Sequence, residues 1–488
     1  MLRRNQEKQI ELEMVSIDQL IPDDHLLRTI DEQIDFSFIY DKVEGYYSKD
    51  NGRPPIDPVM LFKMMFVGYL YGIRSERQLE REIQINVAYR WFLGLGLTEK
   101  VPHHSTISFN RHKRFKGTDV FQKIFDDVVF MAMEQNMVGG RVLFTDSTHL
   151  KANANRHRFT RETVGVETKA YLEDLDEAVN EDRAAHGKKP LAKKEKEETK
   201  TIRQSTTDPE SGYLYREGKP EGFYYLDHRT TDMKMNIITD VHVTPGNVHD
   251  SQPYLERLKH PLNTFSFPVE AVALGSGYLT TPICKGIETL GIMAVIGHRR
   301  YAPVKGRMPK WKYHYDPEAN TYTCPNGKTL TYSTTNREGY RQYHSNPEDC
   351  QACPLLSQCT TAKNHKKVIS RHVWEASKER VRENRLSHAG KQVYRMRKYK
   401  IERSFADSKE LHGLRYCRLR RLEGATEQAL MTAVVQNIKK IAMHLSSPSG
   451  KLFLGLRLYF PSKIVINLKR GTLCFQKQGV PRQAESTL

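Results

Sequence analysis

The sequence predicts an α/β core with an all-α region in front of it and inserted segments within it. Three patterns carry that expectation. Apolar residues recur at helical spacing before residue 138, short apolar runs alternate with helical stretches between 139 and 300, and helical periodicity returns after about Val373. The chain has 488 residues, 38% of them hydrophobic and 9% aromatic, which is enough apolar material for several packed cores and too much for a disordered polymer.

Residues 1–138 are expected to form a helical DNA-binding domain. Asp57-Pro58 reads as an N-cap followed by proline at the first helical position, and the apolar run it opens ends near Gly72. Ser75 with Gln78 forms a capping box for the next helix, on which Leu79, Ile83, Val87 and Trp91 recur every four residues as one buried face. A further helix is expected across Pro102–Arg114, rich in donors, with Arg111, Lys113 and Arg114 available to phosphates or bases. Short helices, tight turns and a basic final element suit a helix-turn-helix-like reader of DNA. A plain helical bundle with a charged outer face fits the same pattern.

After Gly139-Gly140 the period changes. Arg141–Thr145 reads as a buried strand ending at Asp146, and Asn236–Val243, Val269–Leu274 and Met293–Ile296 read as three more. Helical stretches near Ser251–Leu258 and Pro282–Leu290 lie between the last three, so at least part of the pairing is parallel. Residues 139–300 are therefore the first part of the core. A charged insertion at about 160–222 (Lys193-Lys194-Glu195-Lys196-Glu197-Glu198, for instance) is expected to be solvated. Residues 301–370 carry a cysteine cluster, 371–446 supply helices that complete the core, and the tail 447–488 has no assignment. There is no internal repeat, and no Gly-rich phosphate loop precedes a Lys-Ser or Lys-Thr.

The formal charge of +18 and isoelectric point of about 9.4 favour a polyanionic partner, nucleic acid first among them. A merely soluble basic protein is the alternative. The N-terminal residues lack the apolar core of a signal peptide. The longest apolar stretch, Val59–Ile73, contains Lys63 and falls short of the roughly 20 apolar residues of a membrane span. Seven unevenly placed cysteines are no secreted disulfide framework, so a reducing cytoplasm without membrane attachment is expected.

Three groups of residues can carry chemistry. Asp146, a carboxylate at the end of a buried strand, is placed as α/β sites are and suits a hard divalent cation, although capping or turn-making would also use it. Glu402, taken on one continuous helix, shares a face with Arg395, Lys398 and Lys409, a single acid in a basic stripe, while Ile401 and Phe405 would anchor that helix to the core. An i,i+4 pair of Lys398 with Glu402 is the plainer account. Cys324, Cys350, Cys353 and Cys359 contain one C-x₂-C pair and can form a four-thiolate structural zinc site, or stay free thiols.

Together these residues resemble a family, the bacterial insertion-sequence transposases of the DDE class. The resemblance runs from about residue 15 to about 445. It rests on Asp57-Pro58-Val59-Met60-Leu61-Phe62, His104-Ser105-Thr106, Phe144-Thr145-Asp146-Ser147-Thr148, Thr244-Pro245-Gly246-Asn247-Val248-His249-Asp250, Gly277-Tyr278, the cysteine cluster, and Glu402 with Lys409. It implies an RNase H-like, retroviral-integrase-like mixed sheet flanked by helices, in which three carboxylates hold two Mg²⁺ (or Mn²⁺) ions. The first would be Asp146 and the third Glu402, with Lys409 seven residues on. The Tyr and Arg that precede the third acid in the family are shifted, for Tyr394 stands one place early and Lys398 stands where Arg is usual. The second acid is normally the Asp of Asp-x-Gly-Tyr, and here that place is Gly275.

The resemblance also implies double-stranded DNA, transposon ends and target, as partner. It implies cleavage and strand transfer at terminal inverted repeats, a dimer or larger assembly on DNA, and a cytoplasmic, nucleoid-associated location, with Lys409 touching DNA near the active site. With Gly275 the metal site loses one charge and one ligand, so impaired activity is expected. Asp240 and Asp250 lie on a different segment and are not expected to compensate; Asp250 reads as the cap of a helix beginning at Ser251. Two other functions fit, a catalytically dead DNA-binding derivative that represses transposition and a zinc-stapled RNA or DNA regulator.

Overall fold

The computed structural model describes residues 14–48, 55–165, 171–192, 199–215, 221–298 and 304–448. The charged run 193–198, Cys474 and all of the tail beyond residue 448 lie outside them.

The core is a mixed sheet with five principal strands, β1 (Val142–Lys151), β2 (Gly222–Asp232), β3 (Ile238–Pro245), β4 (Ala271–Leu274) and β5 (Met293–Ile296). Their order is β3-β2-β1-β4-β5. The first three are antiparallel and β1, β4 and β5 are parallel, while the short strand Gly212–Leu214 pairs with the start of β2. This is an α/β fold of RNase H-like order. Phe144, Ala273, Val295, Ile401 and Phe405 form one buried cluster between the sheet and a C-terminal helix.

β1 does not end at Asp146. It runs on to Lys151 against β2, while its pairing with β4 stops at Thr145 opposite Leu274. β2 carries buried Phe223, Tyr225 and Leu226 in its first half, but the run Asp227–Asp232 that follows is buried and polar, with partners across the sheet: Thr145 with Thr230 at 2.8 Å and His228 with Thr244 at 2.8 Å.

In front of the sheet stand α1 (Pro58–Leu70), α2 (Glu76–Ile85), α3 (His104–Phe109) and α4 (Val120–Glu134). Asp57 caps α1 by accepting from the Met60 N–H at 2.8 Å, and Ser75 caps α2 by accepting from Gln78 at 3.1 Å. The expected face Leu79–Trp91 is not one helix. Asn86 stops α2 and caps the helix Val87–Phe92, accepting from Ala88 and Tyr89, so only Leu79 and Ile83 are fully buried on the first piece. After α3 the chain makes one π turn over Asn110–Arg114.

The described parts of the insertion carry regular structure that its charge does not suggest. Strands Phe159–Gly165 and Thr199–Ser205 pair as a separate two-stranded sheet. The helix Leu172–Ala185 buries Asp182 against the cysteine-bearing region, where it accepts from Arg341 at 2.7 Å and from Thr335. That region is a five-stranded antiparallel meander over 314–372, built on Tyr313, Tyr322, Leu330, Tyr343 and Ile369. Following β3 and β4 come α5 (Tyr254–Thr264) and α6 (Thr281–Thr289). The C-terminal part comprises the helices Glu375–Leu386 and His388–Met396, then α7 (Ile401–Glu410) and α8 (Arg421–Ser446).

Candidate active site

The parallel register decides where position 275 falls. With Thr145 opposite Leu274, the next residues on the two strands are Asp146 and Gly275, just past the last ladder pair. A Cβ on Gly275 would stand 2.9 Å from Asp146 Oδ1 and 3.6 Å from Arg397 Nη2. The fold thus brings these two positions side by side. Asp146 and Gly275 line a cleft of about 540 Å³ together with Thr148, Asp250, Arg397 and Lys409.

Asp146 accepts from the Ser147 N–H at 3.0 Å through Oδ1 and from Arg397 Nη2 through Oδ2. Burial pushes its carboxyl above the usual range. The Arg397 guanidinium and the Ser147 hydrogen bonds pull the other way, and nearby Asp250 adds to the upward push. Arg397 is itself buried, and its Nη1 lies 3.9 Å from Glu402 Oε1. One guanidinium thus faces both predicted acids, and Asp146 and Glu402 converge although 255 residues separate them in sequence.

Glu402 does not sit on the continuous helix that the basic stripe required. The helix His388–Met396 gives way to a 3₁₀ turn over Arg397–Tyr399, and Lys400 (φ −108°, ψ −94°) breaks the chain before α7. Arg395 and Lys398 are exposed on the elements before the break and share no helical face with Glu402. Lys409 remains on α7, seven residues past Glu402, and its ammonium donates to Thr148 Oγ1 of β1. The cation that reaches the acids is Arg397, which periodicity passed over because it acts from the irregular turn.

The position of α7 is set from beneath. Ile401 and Phe405 enter the core cluster as expected. The fully buried Arg229 of β2 pairs with Asp227 at 2.6 Å and donates to Ser408 at 2.6 Å, while Gln436 of α8 donates to Ser408 at 2.7 Å. Buried polar groups on three elements fix the helix that carries Glu402 and Lys409.

Asp250 departs from its expected role. α5 begins at Tyr254 with Pro253 at its cap, so Asp250 caps no helix; it accepts from the Ser147 hydroxyl at 2.8 Å beside Asp146. Asp240 points elsewhere, to Arg257 Nε at 3.1 Å and His260 Nδ1 at 3.1 Å.

Arg111 also departs. Its side chain is 10% exposed and pairs with Glu427 of α8 at 2.7 Å and with Glu76 of α2. It ties helices together, with Nε and Nη1 both spent on carboxylates. Arg114 packs over Tyr47 with its guanidinium carbon 4.0 Å from the ring centroid, and Lys113 is exposed.

Cys324, Cys350, Cys353 and Cys359 line one small cavity at the edge of the meander, none of them in a disulfide. The Tyr313 hydroxyl lies 3.0 Å from Cys359 Sγ and Cys350 Sγ lies 3.2 Å from Ser345 Oγ. Among the described residues the one trio of ligand atoms mutually within 4.8 Å is Glu80, His103 and His104, so the thiols are gathered but not drawn in to that spacing. Among the described residues no helix is long and apolar enough to cross a membrane.

Residues 15–113 match the Transposase domain (DUF772), and residues 323–442 match the Transposase DDE domain, a segment that holds Glu402 and Lys409 but begins after Asp146 and Gly275. No curated protein matches the chain. Among solved structures it is similar to a piggyBac transposase synaptic complex with hairpin DNA, at 9% identity over 90% of this chain and 82% of that one. The TM-score is 0.26, too low to carry weight.

Proposed function

Because the chain belongs with the DDE-class transposases, we propose that it binds the terminal inverted repeats of an insertion sequence and carries out metal-dependent cleavage and strand transfer, from a centre weakened at position 275. The observation that supports this is the meeting of Asp146, Glu402 and the Gly275 backbone around one buried guanidinium.

The donor set suits a hard divalent ion, since Asp146 and Glu402 offer carboxylate oxygens at the open end of a strand pair. Mg²⁺ or Mn²⁺ bound there would polarise phosphoryl oxygens and lower the pKa of an attacking water or 3′-hydroxyl. The chain's own residues do the rest. Thr148 orients the Lys409 ammonium toward the cleft, where it can neutralise a phosphate, and the rigid pairing of Arg229 with Asp227 keeps α7 in register with β1. Arg397 keeps both acids close while no cation is present. Double-stranded DNA is the partner, gripped by exposed basic residues such as Lys113, Lys398 and Arg395 as well as by Lys409. Pairing two ends implies a dimer or larger assembly, and the nucleoid is the natural place of action. The four cysteines would hold a structural Zn²⁺; a purified, fully folded chain free of zinc by elemental analysis removes that part.

The missing acid favours a second reading, a DNA-binding derivative that represses transposition without cutting. Mg²⁺ and Mn²⁺ titrated against an end-containing duplex separate the two. Slow cutting that Gly275→Asp raises by orders of magnitude supports the weakened enzyme. Tight, sequence-specific binding with no cutting by either chain leaves the repressor.

A further inference from the structure

Asp250 lies at the end of Thr244-Pro245-Gly246-Asn247-Val248-His249-Asp250 and has no role in the reading above. Its Oδ1 accepts from Ser147, the neighbour of Asp146, and a Cβ on Gly277 would meet its Oδ2 at 3.1 Å. It therefore borders both the strand that carries the first acid and the turn from which the second is missing, and the cleft opens on it. Asp146 has Arg397 and Asp240 has Arg257, but among the described residues Asp250 forms no ion pair. Two carboxylates lining one cleft, one of them without an ion pair, are the kind of oxygen donors that a hard divalent cation takes.

We propose that Asp250 takes the place vacated at Gly275 and, with Asp146, holds a divalent cation in the cleft. This deepens the metal-dependent reading and rests on it. Asp146 from β1 and Asp250 from the loop between β3 and α5 line that cleft, and Glu402 of α7 lies on the far side of Arg397, 3.9 Å from its Nη1.

Mn²⁺ binding, followed by the loss of the free-ion paramagnetic resonance signal on the full chain without DNA, tests it apart from activity. Asp250→Asn should weaken binding by about tenfold or more with the unfolding midpoint held or raised. Asp250→Glu should keep it, and Gly275→Asp should restore it in the Asp250→Asn chain. Asp250→Ser gives the same reading should the amide disturb Ser147. Binding by Asp250→Asn equal to that of the unaltered chain, or no Mn²⁺ binding by the unaltered chain at millimolar concentration, overturns the proposal. Asp250-dependent binding in a chain that cuts no end duplex would remove the transposition reading and leave this one. Cutting with Asp250-independent binding would do the reverse.

Discussion

Arg397 competes for the very oxygens that a cation needs. It donates to Asp146 and stands 3.9 Å from Glu402, and its own side chain is 6% exposed, so its charge is felt at low screening. Arg397→Gln keeps a donor and removes the charge. Mn²⁺ affinity of the DNA-free chain should rise several-fold in that variant, and unchanged affinity would mean that the guanidinium swings aside at no cost. Gly275 gives the complementary case. Its backbone (φ −65°, ψ 163°) is open to any L residue, so an aspartate there meets no backbone strain and must only turn the Asp146 carboxyl, whose Oδ1 lies 2.9 Å from the added Cβ.

α7 is an element held by two unlike forces. Its apolar side sinks Ile401 and Phe405 into the sheet, and its small polar side, Ser404 and Ser408, receives Arg229. Arg229 and Asp227 are both fully enclosed, so the pair is costly to bury and more costly to break. Arg229→Ala should lower the unfolding free energy by about 3–5 kcal/mol, measured by urea denaturation, because the buried Asp227 carboxyl loses its ion-pair partner. Adding Asp227→Asn should recover part of that loss; no recovery would place the cost in lost packing around Phe405, over whose ring the guanidinium lies at 5.1 Å.

For the molecule as a whole, the helical region and the sheet are joined by charge. Arg111 reaches Glu427, and His260 of α5 sits between Asp126 of α4 (3.6 Å) and Asp240 of β3 (3.1 Å). Burial works against the His260 imidazolium, but the two carboxylates outweigh it and bring the group up to about 9, against 6.5 when unconstrained. The folded chain therefore holds a proton there that the unfolded chain releases. Stability from this contact is complete below about pH 6.5 and drains away as pH rises through about 9, on the order of 2–3 kcal/mol. His260→Asn should flatten the fall in unfolding free energy between pH 6.5 and 9; an unaltered slope would show that the clasp contributes nothing.

The sequence by itself determined what depends on near neighbours and on residue chemistry. Asp57 and Ser75 cap the helices they were expected to cap, because a cap is decided within three residues. Asp146 could be singled out as a carboxylate closing an apolar run, and Glu402 as a single acid among Arg395, Lys398 and Lys409, although β1 runs on past the first and the chain breaks just before the second. Only the tertiary structure decided what depends on contacts across the fold. β2 is a strand at the centre of the sheet whose buried polar residues conceal it, since Thr230, His228 and Arg229 find their partners on other strands and helices. Asn86 and Lys400 divide stretches that periodicity joins, so Arg395 and Lys398 leave the face of Glu402 and Arg397 gains it. Asp250 lies 104 residues from Asp146 in sequence, and no local pattern distinguishes a helix cap from a carboxylate folded back onto Ser147. Spacing along the chain fixes which groups are available, while strand register and buried polar contacts fix which of them meet.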